Sequence, residues 1–188
     1  MPLAIWWIAP SERTTERVTQ ALEEGRWADA EAGLTELDGN QDWVFATRCW
    51  LLFRQGRLDE LEHLFAQPHD DKVRTLVVEA DVRRTQNRLA DAERAASRAI
   101  DLDPSLGEAF LARFRVRMEQ QRFVEASVDL RMAEQRSPAD PGLPLARLMV
   151  AVVNGREADA RHHFVGVSDP AERDFARGLM VDAGWPAP

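Results

Sequence analysis

At 188 residues, 45% of them hydrophobic, the chain is long enough for one packed domain or a short repeat array, and global disorder is excluded. A net charge of −8 argues against broad phosphate-backbone binding, which needs a cationic surface, so no nucleic-acid partner is expected. The single cysteine, Cys49, excludes an intrachain disulfide and fits a reducing compartment.

The acidity is uneven. Residues 1–72 carry 14 acids and 7 bases, residues 73–138 carry 11 and 12, and residues 139–188 carry 7 and 5, which gives the front of the chain most of the negative charge. Arginine outnumbers lysine 23 to 1, as GC-rich coding common in bacteria produces.

Residues 1–10 are apolar, with Leu3, Ile5, Trp6, Trp7 and Ile8. They lack a basic leader region, and Pro10 closes them too early for a secretory segment. They fall far short of the roughly 20 residues of a membrane helix. A cytoplasmic chain without membrane insertion is therefore expected. So much apolar surface needs a cover, and three placements stand open: the groove described below, the end of the first helix pair, or a homodimer interface through residues 1–10.

Ser11 caps a predicted helix with Val18, Ala21 and Leu22 on its apolar side, stopped at Gly25. Ala30, Leu34 and Leu37 mark a second helix, ended by the turn Asp38-Gly39-Asn40. The third helix, 42–54, is apolar nearly all round, which predicts burial or a covering partner. Leu58, Leu61, Leu64 and Phe65 follow on a short helix that Pro68 stops. Asp70 or Asp71 caps the next, with Leu76, Val77, Ala80 and Val82, and Ala92, Ala96, Ala99 and Ile100 lie on its partner. Ser105-Leu106-Gly107-Glu108 reads as a capping box before Phe110, Leu111, Phe114 and Met118. Ala126, Leu130 and Ala133 mark the partner helix. Asp140-Pro141 opens a helix through Leu145, Leu148, Met149 and Val152, followed by one with Ala160, Phe164 and Val167. Asp169-Pro170-Ala171-Glu172 caps a last helix carrying Phe175, Leu179 and Met180, ended by Gly184. No segment alternates as a strand does, so eleven helices are expected, ten of them in five antiparallel pairs.

A six-residue phrase recurs at each turn inside a pair: GRWADA from Gly25, GRLDEL from Gly56, NRLADA from Asn87, QRFVEA from Gln121 and GREADA from Gly155. The spacings are 31, 31, 34 and 34 residues, the size of a structural repeat. Counting Val73 as position 1, Ala80 falls at 8, Ala92 at 20, Ala99 at 27 and Pro104 at 32; counting Gly107 as position 1, Ala126, Ala133 and Pro138 fall at 20, 27 and 32. Small residues at 20 and 27 let two helices approach closely, and proline at 32 stops the second. On these residues, 11–169 resembles the tetratricopeptide repeat (TPR) family. The resemblance implies a right-handed all-α solenoid of five repeats: 11–41, 42–72, 73–106, 107–140 and 141–169. Residues 170–184 follow as a capping helix, and 185–188 as a tail. Three departures stand out: Phe114 where a small residue is usual, and Arg83 and Arg117 where an apolar one is.

The family's members usually hold a segment of another protein on a concave face lined by the first helix of each pair. Carried over position by position, that face takes Trp43, Trp50 and Phe53 with Arg54 beside them, then Val77, Asp81 and Arg84, then Leu111, Arg115 and Met118, then Leu145 and Met149. It lacks the Lys/Asn clamp of chaperone-tail binders. The expected partner is a protein or peptide segment with apolar anchors, contacted by Arg84 and Arg115 where it is acidic. The expected role is a non-enzymatic adaptor or an assembly or secretion-type chaperone. The alternative is a constitutive subunit of a larger complex, its groove permanently filled. A distinctive site is expected around Trp50, Arg54, Asp81 and Arg84, where the short repeats meet the regular ones.

Catalytic signals are weak. Cys49 sits in an apolar helix with no histidine nearby in sequence and reads as a structural thiol. His162 and His163 point about 100° apart on a helix, and Asp159 with His163 reads as solvent-facing, so no metal is expected. No phosphate loop, carboxylate pair or Ser-His-Asp spacing appears, so no cofactor is expected. The Arg-Asp/Glu pair of the phrase occurs five times, whereas a catalytic site occurs once, so it reads as a structural ion pair.

Overall fold

The computed structural model describes residues 13–37, 41–67 and 72–186. The expectations for residues 1–10, Ser11, Asp38-Gly39-Asn40, Pro68, Asp70, Asp71 and the last two residues lie outside that span. All regular structure among the described residues is helical: α1 (Arg13–Glu23), α2 (Trp27–Thr35), α3 (Asp42–Arg54), α4 (Leu58–Phe65), α5 (Val73–Thr85), α6 (Leu89–Leu102), α7 (Gly107–Glu119), α8 (Phe123–Arg136), α9 (Leu143–Val153), α10 (Glu157–Phe164) and α11 (Pro170–Asp182). They form two compact units, residues 13–103 and 104–186. In the first, α1 packs on α2, α2 and α4 on α3, α3 on α5, and α5 on α6. In the second, α7 packs on α8, both pack on α9, and α9, α10 and α11 pack on one another.

Each recurring phrase builds the same turn. Its first residue has left-handed backbone, with φ of 70° at Gly25, 71° at Gly56, 59° at Asn87, 60° at Gln121 and 66° at Gly155. The N–H of the following arginine then reaches back to a carbonyl five residues earlier: Arg26 to Ala21 at 2.7 Å, Arg57 to Leu52 at 2.9 Å, Arg88 to Arg83 at 2.8 Å, Arg122 to Arg117 at 2.9 Å and Arg156 to Ala151 at 2.9 Å. This closure satisfies a carbonyl that the ending helix leaves open. The arginine carbonyl accepts the first bond of the next helix, from Ala30, Leu61, Ala92, Ala126 and Ala160 at 3.0–3.1 Å, and each of those donors is fully buried.

Arginine is an unusual N-cap residue, and none of the five makes a side-chain cap bond to the helix it opens. The guanidinium instead pairs with the acid three residues on: Arg26 with Asp29, Arg57 with Glu60 at 2.6 Å, Arg88 with Asp91 at 2.6 Å, Arg122 with Glu125 at 3.2 Å and Arg156 with Asp159 at 2.9 Å. That acid lies in the first helical turn, where the helix dipole favours negative charge. Two of the arginines also tie neighbouring pairs together. Arg57 reaches Glu31 at 2.7 Å and Arg88 reaches Glu62 at 3.8 Å, each acid lying just past the buried residue of the previous phrase.

A second tie crosses from α3 to α5. The Asp42 carboxylate accepts the Arg74 N–H at 2.8 Å and the Thr75 N–H at 3.0 Å, with the Thr75 hydroxyl at 3.1 Å. It caps the first turn of a helix whose own N-cap, Lys72, offers no side-chain bond.

The departures from the small or apolar pattern are buried and compensated. Phe114 is fully buried and fills core volume. Arg83, 7% exposed at its side chain, pairs with Glu62 on α4 and with Glu79 at 3.3 Å, and lies 5.0 Å over the Phe65 ring. Arg117 donates to Asp129 on α8 at 2.8 Å, and Arg113 donates to the same fully buried carboxylate at 2.8–3.2 Å. Two guanidinium forks on one carboxylate satisfy a charge that burial would otherwise make very unfavourable.

Two helix starts differ from expectation. α7 begins at Gly107, one residue later than a cap at Ser105 implies, and Leu106 makes no side-chain cap bond. Gly107 itself is closely packed, since a Cβ there would lie 2.6 Å from Ser137 Cβ at the end of α8. α9 begins at Leu143, not Pro141, because Asp140 Oδ1 accepts the Gly142 N–H at 2.8 Å and its carbonyl accepts the Leu143 N–H at 3.1 Å, which folds Asp140–Gly142 into a turn.

Two changes test this reading in urea unfolding. Gln121→Gly relieves left-handed strain and raises stability by about 1 kcal/mol. Asp129→Ala removes the buried carboxylate that two half-buried guanidinium groups share and lowers it by about 3–5 kcal/mol.

Candidate functional site

The residues expected to receive a partner fall in both units. In residues 13–103, α3 supplies Trp43, Trp50, Phe53 and Arg54, and α5, packed against it, supplies Val77, Asp81 and Arg84. Trp50 is buried, 5% exposed, and meets Trp27 of α2 edge to face with ring centres 5.8 Å apart. The Arg54 guanidinium lies 5.7 Å over the Trp50 ring. Trp43 is half-buried, and its indole N–H donates to Gln41 Oε1 at 2.9 Å. Phe53 and Val77 are half-buried. Arg84 donates to the buried Asp81 at 3.4 Å. Of these seven, Trp50 and Asp81 belong to the interior, Trp43, Phe53, Val77 and Arg84 form its partly accessible border, and Arg54 is exposed. Trp27, which packs against Trp50, sits at the third place of the first phrase, where its spacing suggests no such contact.

In residues 104–186, Leu111, Met118 and Leu145 are buried, and Arg115 and Met149 are half-buried. Met149 packs on the core cluster of Leu145, Leu148, Ala151, Ala160 and Met180. A Cβ on Gly142 would lie 2.9 Å from the Arg115 guanidinium and 3.6 Å from Leu111, so glycine there leaves room for the arginine beside the start of α9.

Glu172 joins this group, although its sequence position suggests only a helix cap. Asp169 caps α11 as expected, accepting the Glu172 N–H at 2.8 Å. The Glu172 carboxylate makes no reciprocal bond to the Asp169 N–H; the residue is 8% exposed. Burial pushes its carboxyl above the usual range; Arg115 pulls the other way, and the nearby Asp169 and Asp140 add to the rise.

Beyond these faces the chemistry is sparse. Burial pushes the Cys49 thiol up to about 12, which makes it a packing residue rather than a nucleophile. Asp159 is paired with Arg156, and the His162 and His163 rings meet edge to face at 5.3 Å, burial holding His163 below its usual range. Among the described residues no group of three or more His, Cys, Asp or Glu side chains is placed to hold a metal ion. Among them, too, no helix is long and apolar enough to cross a membrane. A shallow cleft opens between α8 and α9, lined by Met118, Phe123, Val124, Val150 and Val153. No protein-family model matches the chain, and no curated protein matches its sequence.

Glu172 gives a pH test. Its folded-state value is raised, so the folded chain holds a proton that the unfolded chain releases, and stability falls as pH rises from about 4.3 through the folded value. Glu172→Gln therefore raises the melting temperature at pH 7, and the difference closes below about pH 4. Calorimetry across that range checks both parts.

Proposed function

We propose that the chain is a non-enzymatic, TPR-type adaptor or assembly chaperone that works in the cytoplasm and holds an extended or helical segment of another protein. The observation that carries this reading is the five-fold turn. One backbone geometry, one arginine and one buried residue recur with each helix pair, which makes the first helix of each pair an equivalent position along the chain. Repeats of this kind bind through a face that the repetition itself generates. In the first unit the face offers Trp43, Phe53, Val77 and Arg84 around the buried Trp50 and Asp81. In the second it offers Arg115 and Met149 around Leu111, Met118 and Leu145. Aromatic and arginine anchors beside aliphatic pockets suit a segment with spaced apolar side chains.

A second reading, a permanent subunit of a larger assembly, is favoured by one observation. At the α8–α9 cleft, which shares Met118 with the proposed face, Val124 is 78% exposed and Phe123 and Val153 are about two-fifths exposed, forming an apolar patch.

A photocrosslinking amino acid placed at Val77, Met149, Val124 or the outward-facing Arg98 separates these readings. In the native host, Val77 and Met149 are expected to trap one and the same polypeptide, and Arg98 none. Trapping at Val124 alone supports the permanent-subunit reading. Equal trapping at all four positions sinks both.

A further inference from the structure

The outward places of the repeats are small or polar, and those around the α8–α9 cleft are not. Two residues after the phrase arginine stand Ala28, Asp59, Ala90 and Ala158, but Val124 on α8. Six after it stand Ala32, His63, Arg94 and His162, but Val128 on α8. Three before it stand Glu23, Arg54, Thr85 and Glu119, but Val153 on α9. Every one of these residues is exposed, so packing within the chain does not choose between them. Exposed valine weakens a helix relative to alanine and leaves apolar surface in water, so the stability of the fold does not explain the three. A fourth departure lies in the cleft itself. Arg57 reaches Glu31 and Arg88 reaches Glu62, each acid five residues after the preceding phrase arginine. At that place α8 carries the short Ser127, so Arg156 meets no acid there and pairs with Asp159 at 2.9 Å. The cleft holds about 120 Å3, room for one apolar side chain. Its polar lining is already satisfied: the Ser127 hydroxyl donates to the Phe123 carbonyl and the Asn154 amide to the Val150 carbonyl, both at 2.8 Å. One turn beyond Val128, Arg131 is exposed and pairs with no described acid. Helical side chains lean toward the N-terminus, the side of Arg131 on which Val128 lies.

We propose that the α8–α9 cleft is the docking site for a helix of another protein, which inserts a large aliphatic side chain between Val124 and Val153 and sets an acidic residue against Arg131. This rests on the permanent-subunit reading above and names the site and chemistry of its contact. A cleft whose polar groups are already satisfied has nothing to offer a polar side chain. An exposed guanidinium at the edge of an apolar stripe is complementary to a carboxylate and repels a cationic partner. Val124, Val128 and Arg131, at i, i+4 and i+7, line one face of α8, the spacing that a second helix meets along its length.

The probe is an acetylated, amidated, alanine-based helical peptide of about 18 residues, with two leucines four apart and a glutamate one turn beyond each. It is titrated into the full chain while backbone amides are followed by NMR. Saturable shifts at Val124, Ser127 and Val153 are expected. Binding should weaken about tenfold when both glutamates are lysines and vanish when both leucines are serines. Arg131→Glu should reverse the order of the glutamate and lysine peptides, and Val153→Asp should abolish binding of both, with melting temperatures unchanged at these exposed positions. No saturable shift, equal binding of the serine peptide, or an order that Arg131→Glu leaves unchanged overturns the proposal. So does a mass that doubles with concentration and returns to the monomer in Val153→Asp, which assigns the cleft to a second copy. Host crosslinking from Val124 beside a peptide that does not bind removes this chemistry and leaves the permanent-subunit reading standing. Peptide binding without crosslinking from Val124 does the reverse.

Discussion

The architecture rests on one backbone event, a single residue at positive φ placed between two helices. Left-handed backbone ends the first helix, the 6→1 bond from the arginine N–H closes it, and the arginine carbonyl starts the second. Because the closing and starting groups belong to the same residue, the angle between the two helices has little freedom. The buried alanine or leucine four residues after that arginine then sets how closely they pack. Gly184 and Trp185 end α11 by the same backbone pattern, with φ of 80° and a 3.0 Å bond from the Trp185 N–H to Met180.

Charge is used differently inside and outside this frame. The pairs of the recurring phrase are largely hydrated and add little individually to stability. Their regularity serves geometry: an acid in the first helical turn and an arginine that can reach the previous pair. Arg83 and the Arg113–Asp129–Arg117 group are the reverse case, largely withdrawn from water and stabilising only while complete.

Much of the fold was legible because it repeats. Gly25, Gly56 and Gly155 announced their turns by residue type, whereas Asn87 and Gln121 did so only by position in the phrase. The arginine pairs followed from spacing, and the burial of α3 from its unbroken apolar run. What sequence could not give were contacts between residues far apart. Nothing near Gly107 says that Ser137 will press on it. Asp129 looks like an ordinary helix-surface acid until α7 brings two arginines to it. The candidate face was legible as positions but not as exposures. Helical spacing puts Trp50 and Phe53 on the same stretch of α3, yet Trp27 packs edge-on against the first, and the second stays half accessible. Glu172 was hidden by a cap pattern that is only half used.

The Asp42 carboxylate bears on whether the helix pairs are interchangeable parts. The amides of Arg74 and Thr75 are supplied with acceptors by a side chain 32 and 33 residues upstream. A helix pair cut out at its sequence boundaries and inserted elsewhere would leave that acceptor behind. The α5–α6 pair is thus a component with a socket, and its natural neighbour carries the plug. Shuffling, deleting or duplicating repeats in this chain is constrained by such cross-pair capping as well as by the matching of apolar faces. The sensible unit for transplantation starts before Asp42 rather than at the helix it caps.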